Sequence, residues 1–162
     1  MALISYTETL VALDVKYEDE EHGIMGDFFV NHPELGSVIQ TQIIALDAEY
    51  SASVRKRRVE QEQCIARLGL DNLDGIASVF ARVQKEIDNL RGRHHSRVEG
   101  ALPHHLRSTY QEDCEQPLAR GPVKRYPEEL TALHKSFGLD ELDRKIRVKL
   151  QRQGKPAVLK SR

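Results

Sequence analysis

Tryptophan is absent from this 162-residue chain, and aromatic residues make up only 6% of it. Few side chains are therefore available to stack on bases or cage a ligand. The only cysteines, Cys64 and Cys114, stand fifty positions apart with no CxxC neighbour. Such a pair provides neither a disulfide framework nor a zinc cage, and both are read as buried or idle thiols. The ten glycines are scattered, with no GxGxxG, GxxxxGK or GxSxG, which sets aside the common nucleotide-using and hydrolase classes. No apolar run approaches the roughly 18 residues of a membrane span. Met1 to Ile4 has no basic flank, and Glu8 and Asp14 follow closely, so no secretory signal is read there. The expectation is a cytoplasmic protein, or one within a particle assembled there, with no membrane partner and no cofactor.

What remains is the composition of one ordinary soluble domain, 40% hydrophobic and 30% charged, long enough for a single core. Its 24 basic and 25 acidic residues give a net charge of −1. The distribution is far from even: residues 1–34 carry −7, residues 35–143 carry −2, and residues 144–162 carry +8 with no acid at all.

Periodicity predicts a mainly α (α+β) fold: a long antiparallel helical hairpin core, a small N-terminal β-hairpin and a C-terminal helical pair. In the N-terminal region two templates compete. Val11, Leu13, Val15 and Tyr17 alternate as a strand would, whereas Ser5 with Glu8 matches a capping box and Leu10, Leu13 and Tyr17 share a helical face. The balance is slightly toward strand, with Glu18 to Gly23 as the turn and Ile24 to Val30 as the returning strand. Next, Leu35, Ile39, Ile43, Leu46 and Tyr50 mark a helix from about Pro33 to the Arg67 region, stopped by Gly69. A second helix opens after Asp71 or Asn72 with Leu73, Ile76, Phe80, Val83, Ile87 and Leu90, a heptad seam read as core packing. Arg91 to Arg97 holds no apolar residue and reads as a linker. A short helix near Pro103 and an irregular connection through Pro117, Gly121, Pro122 and Pro127 follow. Helices from Pro127 to Gly138 and from Asp140 onward complete the chain. The segments are thus 1–91, hairpin plus helical core; 92–126, a polar His- and Pro-containing connection; and 127–162, a basic helical pair and tail.

Candidate chemistry is sparse. The carboxylates of Glu18 to Glu21 lack the spaced pattern and central glycine of a calcium loop. The doublets His94-His95 and His104-His105 have no recognised zinc spacing and read as exposed linker residues. Glu112, Asp113 and Glu115 would raise the pKa of the Cys114 thiol, which argues against a reactive thiolate. No catalytic or metal-binding residue is assigned, and an enzyme ranks last.

Basic clusters carry more information. Arg55, Lys56, Arg57 and Arg58 occupy four consecutive helical positions that point around the whole axis, so the block is expected to stay in solvent. Arg144, Lys145, Arg147, Lys149, Arg152 and Lys155 lie on the last helix, whose other face carries Leu142, Ile146 and Leu150. The helical pair has the lengths of a helix-turn-helix, but its second helix lacks the Asn, Ser or Thr of base-reading positions. These ten basic residues are the expected binding set for a non-enzymatic, nucleic-acid-associating accessory protein that holds the backbone of RNA or DNA without sequence preference. The alternative is a structural or assembly subunit of a phage particle or other large complex, in which the acidic N-terminal and basic C-terminal regions meet complementary neighbours. The tail would then dock on an acidic protein surface, and the same polarity permits a homo-oligomer.

Overall fold

The computed structural model describes the backbone of residues 2–160 and the side chains of residues 2–154. Almost all of this is helical, and no strand occurs among the described residues. The long elements are α1 (Ala2–Asn31), α2 (Gly36–Leu68) and α3 (Leu73–Ala101). Short helices α4 (Arg107–Tyr110) and α5 (Gln116–Arg120) flank a π-helical turn at Gln111–Glu115, and α6 (Pro122–Ser136) and α7 (Asp140–Lys160) end the fold.

The N-terminal β-hairpin expected from the sequence is replaced by one continuous helix. A strand would have put Val11, Leu13, Val15 and Tyr17 on one face. Instead Leu13 and Tyr17 are buried with Tyr6 and Leu10, while Val11 and Val15 are 47% and 49% exposed. The three-or-four spacing of Tyr6, Leu10, Leu13 and Tyr17 lets α1 pack on Ile65, Phe80, Leu130 and Leu142, and that burial outweighs the β preference of the valines. Ser5 lies inside the helix and caps nothing. Glu18, Glu20 and Glu21, placed in a turn by the sequence, are mid-helix and pair with Arg55, Arg125 and Arg91 of α2, α6 and α3. Mutual repulsion along the acidic run is thereby offset by guanidinium groups from three other helices.

The helical hairpin forms as expected. Gly69, at φ 78°, ends α2 by donating its N–H to the Ile65 carbonyl at 2.9 Å, a conformation that suits glycine. The Asn72 side chain then caps α3 by accepting from the Gly75 N–H at 3.0 Å. Ile65 and Ile76 meet in one cluster near the turn, and Arg97 bonds Glu49 at 2.9 Å near the far end, so the two helices run antiparallel.

Arg91 to Arg97 is not a linker, because α3 continues through it to Ala101. His94 takes the seam position between Ile87 and Val98, all three buried, and stacks on Tyr50 with ring centroids 4.5 Å apart. His95 meets the Tyr110 hydroxyl at 2.9 Å. A histidine can thus fill a core position that a search for apolar residues passes over. The exposed-linker reading fits only His104 and His105, which are exposed. The irregular connection through Pro117 to Pro127 is helical too. Pro117 and Pro122 sit in first turns, where a missing N–H costs nothing. Pro127 lies within α6 and cannot donate the helical bond to the Val123 carbonyl.

Two buried clusters result. One joins α1, α2, α3, α6 and α7 around Tyr6, Phe80, Leu130 and Leu142. The other joins the distal halves of α1, α2 and α3 to Tyr110 and Cys114 around Phe28, Ile43 and Val98. The first cluster draws on both the 1–91 and 127–162 segments.

Candidate nucleic-acid interface

α7 is oriented by its apolar stripe. Leu142 and Ile146 are buried against the first cluster and Leu150 packs on it, which turns the cationic side chains outward. Gly138, at φ 68°, turns the chain from α6 into α7, and the Leu139 N–H closes onto the His134 carbonyl at 2.7 Å.

Arg144, Lys145, Lys149 and Arg152 line a shallow hollow of about 180 Å³ with Val148 and a single carboxylate, Asp74 of α3. Lys145 Nζ donates to Asp74 Oδ1 at 2.9 Å. That hydrogen bond first, and the ammonium charge second, hold the Asp74 carboxyl below its ordinary pKa. Arg144 pairs with Glu141 one turn back. Arg147, on another side of the helix, lies 3.3 Å from Asp143. Lys149 and Arg152 make no ion pair among the described residues. The side chain of Lys155 lies outside the described residues.

The structure does not bring Arg55 to Arg58 to this surface, and it divides that block. Lys56 is exposed and Arg57 half-buried, whereas Arg55 is held by Glu18 of α1. Arg58 corrects the expectation that the block stays in solvent. Its side chain is only 13% exposed, 3.6 Å from Asp14, 4.5 Å from the centre of the Tyr126 ring and bonded to Gln61 Oε1 at 3.2 Å. Burial disfavours its charge, but Tyr126, Asp14, Glu62 and Glu21 outweigh that and keep the guanidinium protonated.

Arg58 belongs to a feature that sequence reasoning missed, a cleft of about 230 Å³ midway along the bundle where α1, α2, α3 and α6 meet. Asp14 and Glu62 lie on its floor. Burial first, and the neighbouring Asp14 carboxyl next, push Glu62 up to about 9. The one sequence signal for it is the pair Val11 and Val15, off the Leu10, Leu13, Tyr17 stripe and beside Asp14 and Glu18.

Among the described residues no three His, Cys, Asp or Glu side chains converge as metal ligands, and no helix is long and apolar enough to cross a membrane. Burial, with Asp113 and Glu115, pushes the Cys114 thiol up to about 12. Comparison with protein-family models, with curated proteins and with solved structures gives no match.

Proposed function

We propose that this protein is a non-enzymatic nucleic-acid-associating accessory protein that holds the phosphate backbone of RNA or DNA on the outer face of α7. The observation that supports this reading is the hollow lined by Arg144, Lys145, Lys149 and Arg152 with Asp74 as its lining carboxylate, Glu141 pairing with Arg144 and Lys145 from one turn back. Phosphates read as point charges need neither stacking aromatics nor base-reading amides, which suits a chain without tryptophan and gives no sequence preference.

The assembly reading draws less support, since Asp14, Glu18, Glu20 and Glu21 already lie against arginines of the same chain. Half of the eight acids of residues 1–34 are occupied in this way, which leaves Glu8, Asp19 and Asp27 exposed and Glu34 paired with His32. Docking of α7 on an acidic protein surface uses the same cations and is separated by competition: bound polynucleotide should resist an excess of polyglutamate of equal charge.

The direct test is polynucleotide affinity as a function of salt. Each phosphate neutralised contributes about 0.9 to the log–log slope, so four cations in the hollow give a slope of about −4. Truncation at residue 144 is unsuitable, because it removes Ile146 and Leu150 from the core. Neutralising substitutions on the outer face keep that packing.

A further inference from the structure

The cleft between α1, α2, α3 and α6 carries an unsatisfied charge balance. Four carboxyl groups line it, Asp14, Glu18, Glu21 and Glu62, against three guanidinium groups, Arg55, Arg58 and Arg91. Arg55 takes Glu18, Arg91 takes Glu21 at 3.3 Å, and Arg58 stands 3.6 Å from Asp14, which leaves Glu62 as the extra acid. The oxygens agree with this count. Asp14 Oδ1 accepts from the Tyr126 hydroxyl at 2.8 Å, but Asp14 Oδ2 and Glu62 Oε1 are buried with no donor. Buried acceptors in this state call for a proton or for a ligand that donates. Above them the walls are apolar, with Val11, Val15 and Val59 each about half exposed at the mouth. Half-exposed valines from α1 and α2 beside a carboxyl floor are unusual for solvated surface. The volume is below the roughly 300–1,000 Å³ of common ligand clefts, which limits the occupant to a small molecule.

We propose that this cleft binds a small organic monocation, a primary ammonium group on a short alkyl body. The ammonium pairs with the carboxyl groups of Asp14 and Glu62, which line the cleft, and the alkyl chain lies along the valines. Without the ligand, a proton shared between the two carboxyls supplies the missing positive charge. The ligand replaces it, so binding releases up to one proton and tightens as pH rises. This site is independent of α7, and its failure would leave the phosphate-binding reading untouched.

The experiment is calorimetric titration of the full chain with hexylamine, 1-hexanol and hexanoate, in buffers of different ionisation enthalpy. Hexylamine is expected to bind at least about tenfold more tightly than hexanol, and hexanoate least, because it meets the same carboxyl floor. Hexylamine affinity should rise by up to about tenfold per pH unit between about pH 7 and pH 9, with matching proton release. Glu62→Gln keeps the shape and one donor but cannot ionise, so it should lose both the pH dependence and the preference for amine while still binding hexanol. Val59→Trp, at the exposed mouth, should block amine and alcohol alike. Hexanoate binding as tightly as hexylamine would overturn the proposal, as would amine affinity independent of pH, or no binding of hexylamine by the folded protein.

Discussion

The hydroxyl of Tyr6 lies 2.7 Å from Nε2 of His134, a contact in the core that ties α1 to α6 across 128 positions of sequence. His134 Nδ1 is in turn 2.9 Å from Asp143 Oδ1 of α7, and Asp143 Oδ2 accepts from the Thr131 hydroxyl at 3.0 Å. Burial holds the His134 pKa below its ordinary value against the pull of Asp143. The ring is therefore neutral, with Nδ1–H donating to Asp143 and Nε2 accepting from Tyr6. Three helices are pinned by one imidazole, and α7 is thereby fixed with its cations outward.

Tyr6→Phe should accordingly destabilise the fold by about 1–3 kcal/mol, the cost of leaving a buried acceptor without its donor. Urea unfolding checks this as a lower midpoint with an unchanged slope. Because the polar partner is removed without a cavity, a near-zero effect would mean that water or another donor reaches His134.

Two opposing groups shape the pH dependence of stability, offsetting each other between about pH 4.5 and pH 6.5. Burial first, then the charges of His95 and Arg97, pull His94 down from 6.5 to about 4. The unfolded chain takes that proton first, so stability falls as pH drops through this window, by roughly 3 kcal/mol at most. His134 adds in the same direction. Glu62 acts oppositely: its carboxyl, raised from 4.5 to about 9, keeps its proton in the folded state, so stability falls as pH rises between those values. Thermal melts of Glu62→Gln should lose the decline between about pH 6.5 and pH 9 and uncover the full His94 limb between about pH 4 and pH 6.5. An unchanged alkaline limb would place the responsible group elsewhere.

Arg55 and Arg58, three positions apart, should behave as different kinds of residue. Arg58→Ala strands Asp14 in the cleft and should cost about 3–5 kcal/mol, whereas Arg55→Ala, which removes a guanidinium 66% exposed to water, should cost about 1 kcal/mol. Neither should change polynucleotide affinity, which filter binding at low salt would measure.

Asp74→Asn should strengthen polynucleotide binding. It removes the one carboxylate in the α7 hollow and releases Lys145, so affinity should rise by about two- to fivefold, the worth of one unit charge in a solvated site. Weaker binding would mean that Lys145 needs Asp74 to hold its position.

The long elements were legible wherever apolar residues alone mark the buried face, as along Leu35 to Tyr50 and Leu73 to Leu90. Reading failed where a polar side chain takes a core position, since His94 continues the α3 seam and no hydrophobic pattern records it. It failed again at α1, where Val11 and Val15 imitate strand alternation because they line a cleft instead of the core. The cationic face of α7 followed from composition and spacing, but the burial of Arg58 did not, because its partners Asp14 and Tyr126 come from helices far away in sequence. Charges that pair across the fold are invisible to a count along the chain, and half of the acids of the N-terminal region, Asp14, Glu18, Glu20 and Glu21, are paired from within.

The most direct test is the salt dependence of polynucleotide binding for the intact protein and for the variant combining Arg144→Gln, Lys149→Gln and Arg152→Gln. The intact chain should bind at low salt with a log–log slope of about −4, and the variant should lose about three units of that slope, roughly one per removed cation, while unfolding at the same urea concentration. An intact protein that ignores polynucleotide at low salt, or a folded variant that keeps the full slope, would contradict the assignment of α7 as the phosphate-binding surface.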